Sequence, residues 1–224
     1  MTMGNARHNI LARLRKSTTD TATPESDFSI INTRKWTDSD RIVHFRNNME
    51  SVQTEVHMTS TSEWTNLLQR LVQAKGINTL LFAPETEVGV AVKKKWEEMD
   101  QAILAKLVAY TRDVEEWKEE LFFNVDASIT SARSGIADTG TLILWPTPEE
   151  PRLMSLVPSM HFVVLKVRRI HNTFSQAINA EKWVKEGLPS NALLISGPSK
   201  TSDIEQTLAY GVHGPKEVIV FLLG

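Results

Sequence analysis

Short apolar runs that alternate with amphipathic stretches are the feature that most constrains this chain. The runs "INTLLFA" (77–83), "ILAKLVAY" (103–110) and "EVIVFLL" (217–223) are of strand length and rich in apolar side chains. Strands of that kind are buried on both faces, as in a parallel sheet covered by helices. The stretches between them have helical spacing. Trp64, Leu67, Leu68, Leu71 and Val72 recur at helical intervals, behind Ser60 and Glu63 in capping-box spacing and ahead of Gly76. "ETEVGVAVKKKWEEM" (85–99) and "DVEEWKEELF" (113–122) read as further helices, the second with Asp113 and Glu116 as its capping pair. "SVQTEVHM" (51–58) reads as the strand that begins the series.

Strands follow near 125–131, 141–145 and 161–167 with no helical pattern between them, so the sheet is expected to be mixed in that region. A helix over about 175–186 ends at Gly187, and a strand at 192–196 precedes the closing strand. The pattern describes one α/β domain over 31–224, a mixed, mainly parallel sheet covered by helices. Residues 1–30 form an N-terminal arm. It has a short amphipathic helix at 5–16, with Ile10, Leu11 and Leu14 on one side, and a polar, Pro-interrupted tether at 17–27. A helix on such a tether packs on its own domain or docks on another chain.

Charge and cysteine content exclude several classes. A net charge of −2 provides no basic face for nucleic acid. No apolar run approaches the roughly 20 residues that span a bilayer, and the start has no apolar core of signal-peptide length, which makes a cytoplasmic protein the expectation. Cysteine is absent. That removes disulfides, thiol nucleophiles, thiolate zinc sites and the usual ligands of iron–sulfur clusters. The 6 histidines show neither HxxxH nor HExxH spacing, so no sequence-local metal site and no cofactor is expected.

Two glycine-rich joints carry the chemistry. In "SARSGIADTGTLILWP" (131–146), Asp138, Thr139 and Gly140 precede an apolar strand. The tripeptide resembles that of aspartic proteases, but it occurs once, and such enzymes need two carboxylates that share a proton. A Gly-flanked turn with an Asx hydrogen bond explains it as well. In "LLISGPSKTSDIEQTLAYGVHGP" (193–215), Lys200-Thr201 superficially resembles a phosphate-binding loop, but Leu194 and Ser199 occupy the positions where that loop needs glycine.

The second joint still has related physics. A strand ends, Gly197-Pro198 turn the chain, and Ser202 with Glu205 opens a helix whose free N–H groups point outward. The expectation is an anion-binding loop of Gly197, Ser199, Lys200, Thr201, Ser202 and Asp203, beyond the carboxyl ends of the strands. Asp138, Thr139, Gly140 and His213 would face it. The alternative is a capped turn with a solvated lysine. No catalytic residue can be assigned, since Asp138, Lys200, Asp203 and His213 would act as acids or bases only where they converge. His161, at the mouth of the strand after "PEEPRLMSLVPSM", reads as a core-edge histidine.

Taken together, "GIADTGTLIL", "PRLMSLVPSMHFVVL" and "LLISGPSKTSDIEQTLAYGVHGPKEVIVFLL" resemble the lactate-utilisation protein C family, which carries the LUD domain. The "ILARLR" start fits it too. Where that family commonly has glutamate before Thr-Gly-Thr, this chain has Asp138. The resemblance implies a fold like that of the superfamily of glucosamine-phosphate isomerase (NagB), ribose-phosphate isomerase (RpiA) and CoA transferases. It also implies a part in growth on L-lactate beside iron–sulfur partner proteins that oxidise lactate to pyruvate. On that view the chain is the cluster-free accessory component, binding a small anionic ligand. The other reading is a stand-alone enzyme acting on a phosphorylated or nucleotide-activated small molecule.

Overall fold

The computed structural model describes residues 4–17, 35–98, 105–202, 208–210 and 213–224. The chain divides into two units, Met1–Thr33 and Arg34–Gly224. In the first, α1 (Gly4–Ser17) forms where the helical spacing indicates, with Ile10, Leu11 and Leu14 exposed. The tether after it lies outside the described residues.

The second unit begins with α2 (Asp38–Ser51), which the apolar pattern alone does not reveal. Thr37 caps it by accepting from the Asp40 amide at 3.2 Å, and Phe45 and Met49, one turn apart, are its buried face. The alternation then runs as expected, through β1 (Glu55–Thr59), α3 (Trp64–Ala74), β2 (Thr79–Phe82), α4 (Glu87–Glu97) and β3 (Lys106–Ala109). A 3₁₀ turn (Val114–Glu116) and α5 (Lys118–Phe123) lead to β4 (Ala127–Ser131). The chain continues with β5 (Ser134–Ile136), β6 (Thr141–Leu144), α6 (Leu153–Leu156), β7 (Met160–Lys166), a 3₁₀ turn (Val167–Arg169) and β8 (Ile170–His171). The remaining elements are α7 (Phe174–Ala180), α8 (Trp183–Glu186), β9 (Leu193–Ile195), β10 (Lys200–Ser202), β11 (Leu208–Tyr210) and β12 (Glu217–Leu223).

The molecule is an α/β protein on a six-stranded sheet ordered β3-β2-β4-β7-β12-β1, every pair of which is parallel. The antiparallel pairing expected around 125–167 sits in a second, four-stranded sheet, β8-β5-β6-β9. On one face of the large sheet, α3 and α4 pack Trp64, Leu68, Val88 and Val92 against Phe82, Ile129, Phe162 and Phe221. On the other face, α2 and the second sheet bring Phe45, Met49, Leu142 and Leu144 onto Val163, Leu165 and Val220. α7 and α8 cover the outer side of the small sheet through Ala177 and Trp183. Among the described residues no helix is long and apolar enough to cross a membrane.

Several local expectations change. Neither expected capping box forms: Glu63 stands at the start of α3 without a side-chain cap, and Asp113 heads only a 3₁₀ turn. The helix at 175–186 is two short helices broken at Lys182, whose φ is +53°. The helix expected from Ser202 is absent where the chain is described: Lys200–Ser202 and Leu208–Tyr210 pair as antiparallel strands, with Lys200 opposite Tyr210.

Candidate functional site

The order of the large sheet creates one special place. After β2 the chain turns through α4 to reach β3 at the edge, whereas β4 lies on the other side of β2 and leads into the second sheet. Connections from the carboxyl ends of β2 and β4 therefore leave on opposite faces. A crevice opens at such a switch point, and ligands of open α/β sheets generally bind there.

A cavity of about 380 Å³ occupies this crevice. Its lining comes from the carboxyl ends of strands and the starts of the helices that follow: Ser131 and Arg133 after β4, Lys166 and Arg168 after β7, Leu223 of β12, and Glu87 at the head of α4. Trp64, Val88 and Ala91 make an apolar wall on the α3–α4 side, and Arg169 adds a fourth cation.

Arg133 is held from two sides. Its guanidinium lies 4.0 Å from the centre of the Trp145 ring, and its Nε donates to Glu181. The Glu181 side chain is buried, at 2% exposure. Burial works against its charge, but donors outweigh it, among them Trp183 Nε1 at 3.0 Å and Arg133, and its pKa is lowered. His171 of β8 approaches the same carboxylate at 3.5 Å, yet burial keeps the His171 pKa low. Lys166 Nζ reaches both oxygens of Glu87, at 2.9 and 2.8 Å, across the mouth of the cleft. Outside the cavity lining, Glu150 accepts from the Ser131 amide at 2.7 Å and from its hydroxyl at 2.6 Å. Burial raises the Glu150 pKa, partly offset by these two bonds.

The residues singled out from the sequence lie at the other end of the sheet. Asp138, Thr139 and Gly140 form the turn between β5 and β6, where Asn48 of α2 donates to the carbonyls of Ala137 and Asp138 at 2.9 and 3.2 Å. Gly140 has a φ of +57°, and a β-carbon there would lie 2.6 Å from Asn48 Cβ. Hydroxyls link this turn to the second joint: Thr139 to Thr141 at 2.6 Å, and Thr141 to Ser196 at 2.7 Å. Gly197, with φ +149°, passes so close to Val52 that a β-carbon would lie 2.8 Å from its methyl. The Ser199 amide donates to Pro215 at 2.8 Å, next to the exposed His213.

The two glycine-rich joints lie near residues 52–54 and 213–216, which precede β1 and β12. That is the amino edge of the sheet, and it corrects the expectation of a site beyond the carboxyl ends. Lys200 is exposed and Thr201 and Ser202 lie in β10, so the free N–H groups of a helix start do not arise there. Asp203 lies outside the described residues. Among the described residues no cluster of histidine and carboxylate side chains could hold a metal ion.

An α/β protein with a cation-lined cleft at the switch point of a parallel sheet is the class that fold and geometry define. Within that class the chain belongs to the LUD domain family, whose model matches residues 42–223. Uncharacterized protein NMB1437 of Neisseria meningitidis serogroup B is 36% identical over 225 residues, covering 98% of this chain and 94% of that one. Lactate utilization protein C of Deinococcus radiodurans is 38% identical over 101 residues, 44% of this chain and 47% of that protein. The chain thus spans under half of that relative. The crystal structure of a DUF162 family protein from Deinococcus radiodurans has the same fold. Its TM-score is 0.58 at 20% identity, over 85% of this chain and 100% of that one.

Proposed function

We propose that this chain serves in lactate utilisation as a ligand-binding component without an iron–sulfur cluster, beside iron–sulfur proteins that oxidise L-lactate to pyruvate. Similarity to proteins named lactate utilization protein C supports the pathway. The absence of cysteine supports the cluster-free role, because thiolates are the usual cluster ligands. One observation carries the ligand-binding part: Arg133, Lys166, Arg168 and Arg169 line a cavity of about 380 Å³ with a single carboxylate, Glu87, among its lining residues. Such a cleft attracts and orients a small anion.

The test is growth on L-lactate of cells that lack this protein, complemented with variants. The double variant Arg168→Ala, Arg169→Ala is expected to abolish growth on lactate and leave growth on glucose intact. Lys200→Ala, at the far end of the sheet, is expected to complement like wild type. If Lys200→Ala abolishes growth and the arginine pair does not, the ligand sits at the amino-edge turn instead. A pull-down from lactate-grown cells is expected to bring down iron–sulfur absorbance that the purified chain lacks.

A second reading has one observation in its favour. Ser131 lines the cleft and its hydroxyl donates to Glu150, and a hydroxyl with a carboxylate to take its proton is what general-base catalysis uses. On that reading the chain is an enzyme acting on a phosphorylated or nucleotide-activated small molecule. Turnover by wild type and its loss in Glu150→Gln would establish it.

A further inference from the structure

Two of the four cations that line the cleft already have carboxylate partners. Lys166 pairs with Glu87 at 2.8 Å, and Arg133 pairs with the buried Glu181. Arg168 and Arg169 follow each other in the 3₁₀ turn that ends the central strand β7, and neither makes an ion pair among the described residues. The cleft is therefore lined by two arginines with no carboxylate partner among the described residues. The same cavity is lined by the apolar side chains of Trp64, Val88, Ala91 and Leu223.

We infer that the cleft, taken as an anion site, binds an organic phosphate monoester, with its dianionic head on Arg168 and Arg169 and an apolar body along the Trp64–Val88 wall. Three features converge on this class. A phosphate monoester carries a charge of about −1.5 to −2 at pH 7, which matches a surplus of two cations; a monocarboxylate such as lactate leaves one arginine uncompensated. Guanidinium forks match phosphate oxygens in pairs. A cavity of about 380 Å³ lies within the range that holds organic ligands of roughly 300–1,000 Å³ sites, and a three-carbon acid would leave the apolar wall wet.

Titration calorimetry on the full chain, at low salt and about pH 7.5, compares three probes: phenyl phosphate, benzoate and inorganic phosphate. Phenyl phosphate is expected to bind at least ~10-fold more tightly than either of the others, a difference of about 1.4 kcal/mol. Its affinity should fall as pH drops through about 6, where the phosphate takes up its second proton, while benzoate binding stays level over that range. Glu87 from α4, Arg133 after β4 and Lys166 from β7 line the same cavity, and His171 from β8 lies near Arg169; all of them meet either probe alike, so the benzoate series is their control. The double variant Arg168→Ala, Arg169→Ala should bring phenyl phosphate down to the benzoate level. Both side chains are exposed, so thermal unfolding should confirm that the variant remains folded.

If benzoate binds as tightly as phenyl phosphate and both are lost in the variant, the dianion is overturned and the anion cleft stands. If inorganic phosphate equals phenyl phosphate, the apolar body is overturned. If none of the three binds, or the variant binds them all as wild type does, the anion cleft itself falls and this inference with it.

Discussion

His161 provides a direct test of how the core between the two sheets is built. It lies near the start of β7 with no exposed surface, its Nε2 2.8 Å from the Thr130 hydroxyl, and burial pushes its pKa down to about 3. An imidazole in the unfolded chain titrates near 6.5. Between those values the unfolded chain binds a proton that the folded chain refuses, so stability is complete above about pH 6.5 and is lost as pH falls. At pH 5, ~1.5 units below the unfolded pKa, the loss amounts to about 2 kcal/mol. The measurement is urea unfolding of wild type and His161→Gln at about pH 7.5 and pH 5. The glutamine keeps a polar partner for Thr130 and does not titrate. Wild type should lose about 2 kcal/mol more than the variant between the two pH values. The carboxylates shared by both proteins, including Glu150, cancel in the difference. Equal losses would mean that His161 takes up a proton in the folded state and that the sheet interface admits water.

Three further outcomes follow from particular contacts. Gly140→Ala should destabilise the protein by about 2–4 kcal/mol in chemical unfolding, because it combines a left-handed backbone with a β-carbon 2.6 Å from Asn48. Glu181→Gln should cost about 1–3 kcal/mol, measured the same way, because Arg133 then loses its charged partner and keeps at most a neutral acceptor beside the Trp145 ring. Removal of residues 1–26 should leave a folded protein with an unchanged unfolding midpoint, since Ile10, Leu11 and Leu14 are exposed and the family match begins at residue 42. Aggregation of the shortened chain would show that α1 belongs to the core.

Apolar continuity made the large sheet legible. β7 and β12 are buried along nearly their whole length, and only a parallel sheet covered on both faces asks for that. What stayed hidden was local. α2 presents only Phe45 and Met49 as fully buried residues, a stripe too thin to stand out among Arg, Asn and Asp. Serine and aspartate spacing suggests capping boxes, whereas the caps that form are threonines: Thr37, Thr86 and Thr173 each accept from an amide three residues on. The segment after Gly197 has helical spacing, yet Lys200–Ser202 pairs with Leu208–Tyr210. Propensity over so short a window yields readily to strand pairing.

The candidate site divides along the same line. Gly140 and Gly197 stand out in the sequence because each meets a backbone requirement, and both pass close to the C-terminal end of α2. The cleft has no contiguous motif, since Glu87, Arg133 and Lys166 meet only through the order of the strands. One local signal was available. In "HFVVLKVRRI" (161–170) an apolar strand runs straight into three cations within four residues. Cations in that position stand beyond the carboxyl end of a strand, and a buried central strand in a parallel sheet points its carboxyl end at the crevice. The run Lys166–Arg169 therefore marks the carboxyl edge of the sheet, where the proposed anion site lies, more directly than the glycine turns do, because only Lys166 of its three cations has a carboxylate partner among the described residues.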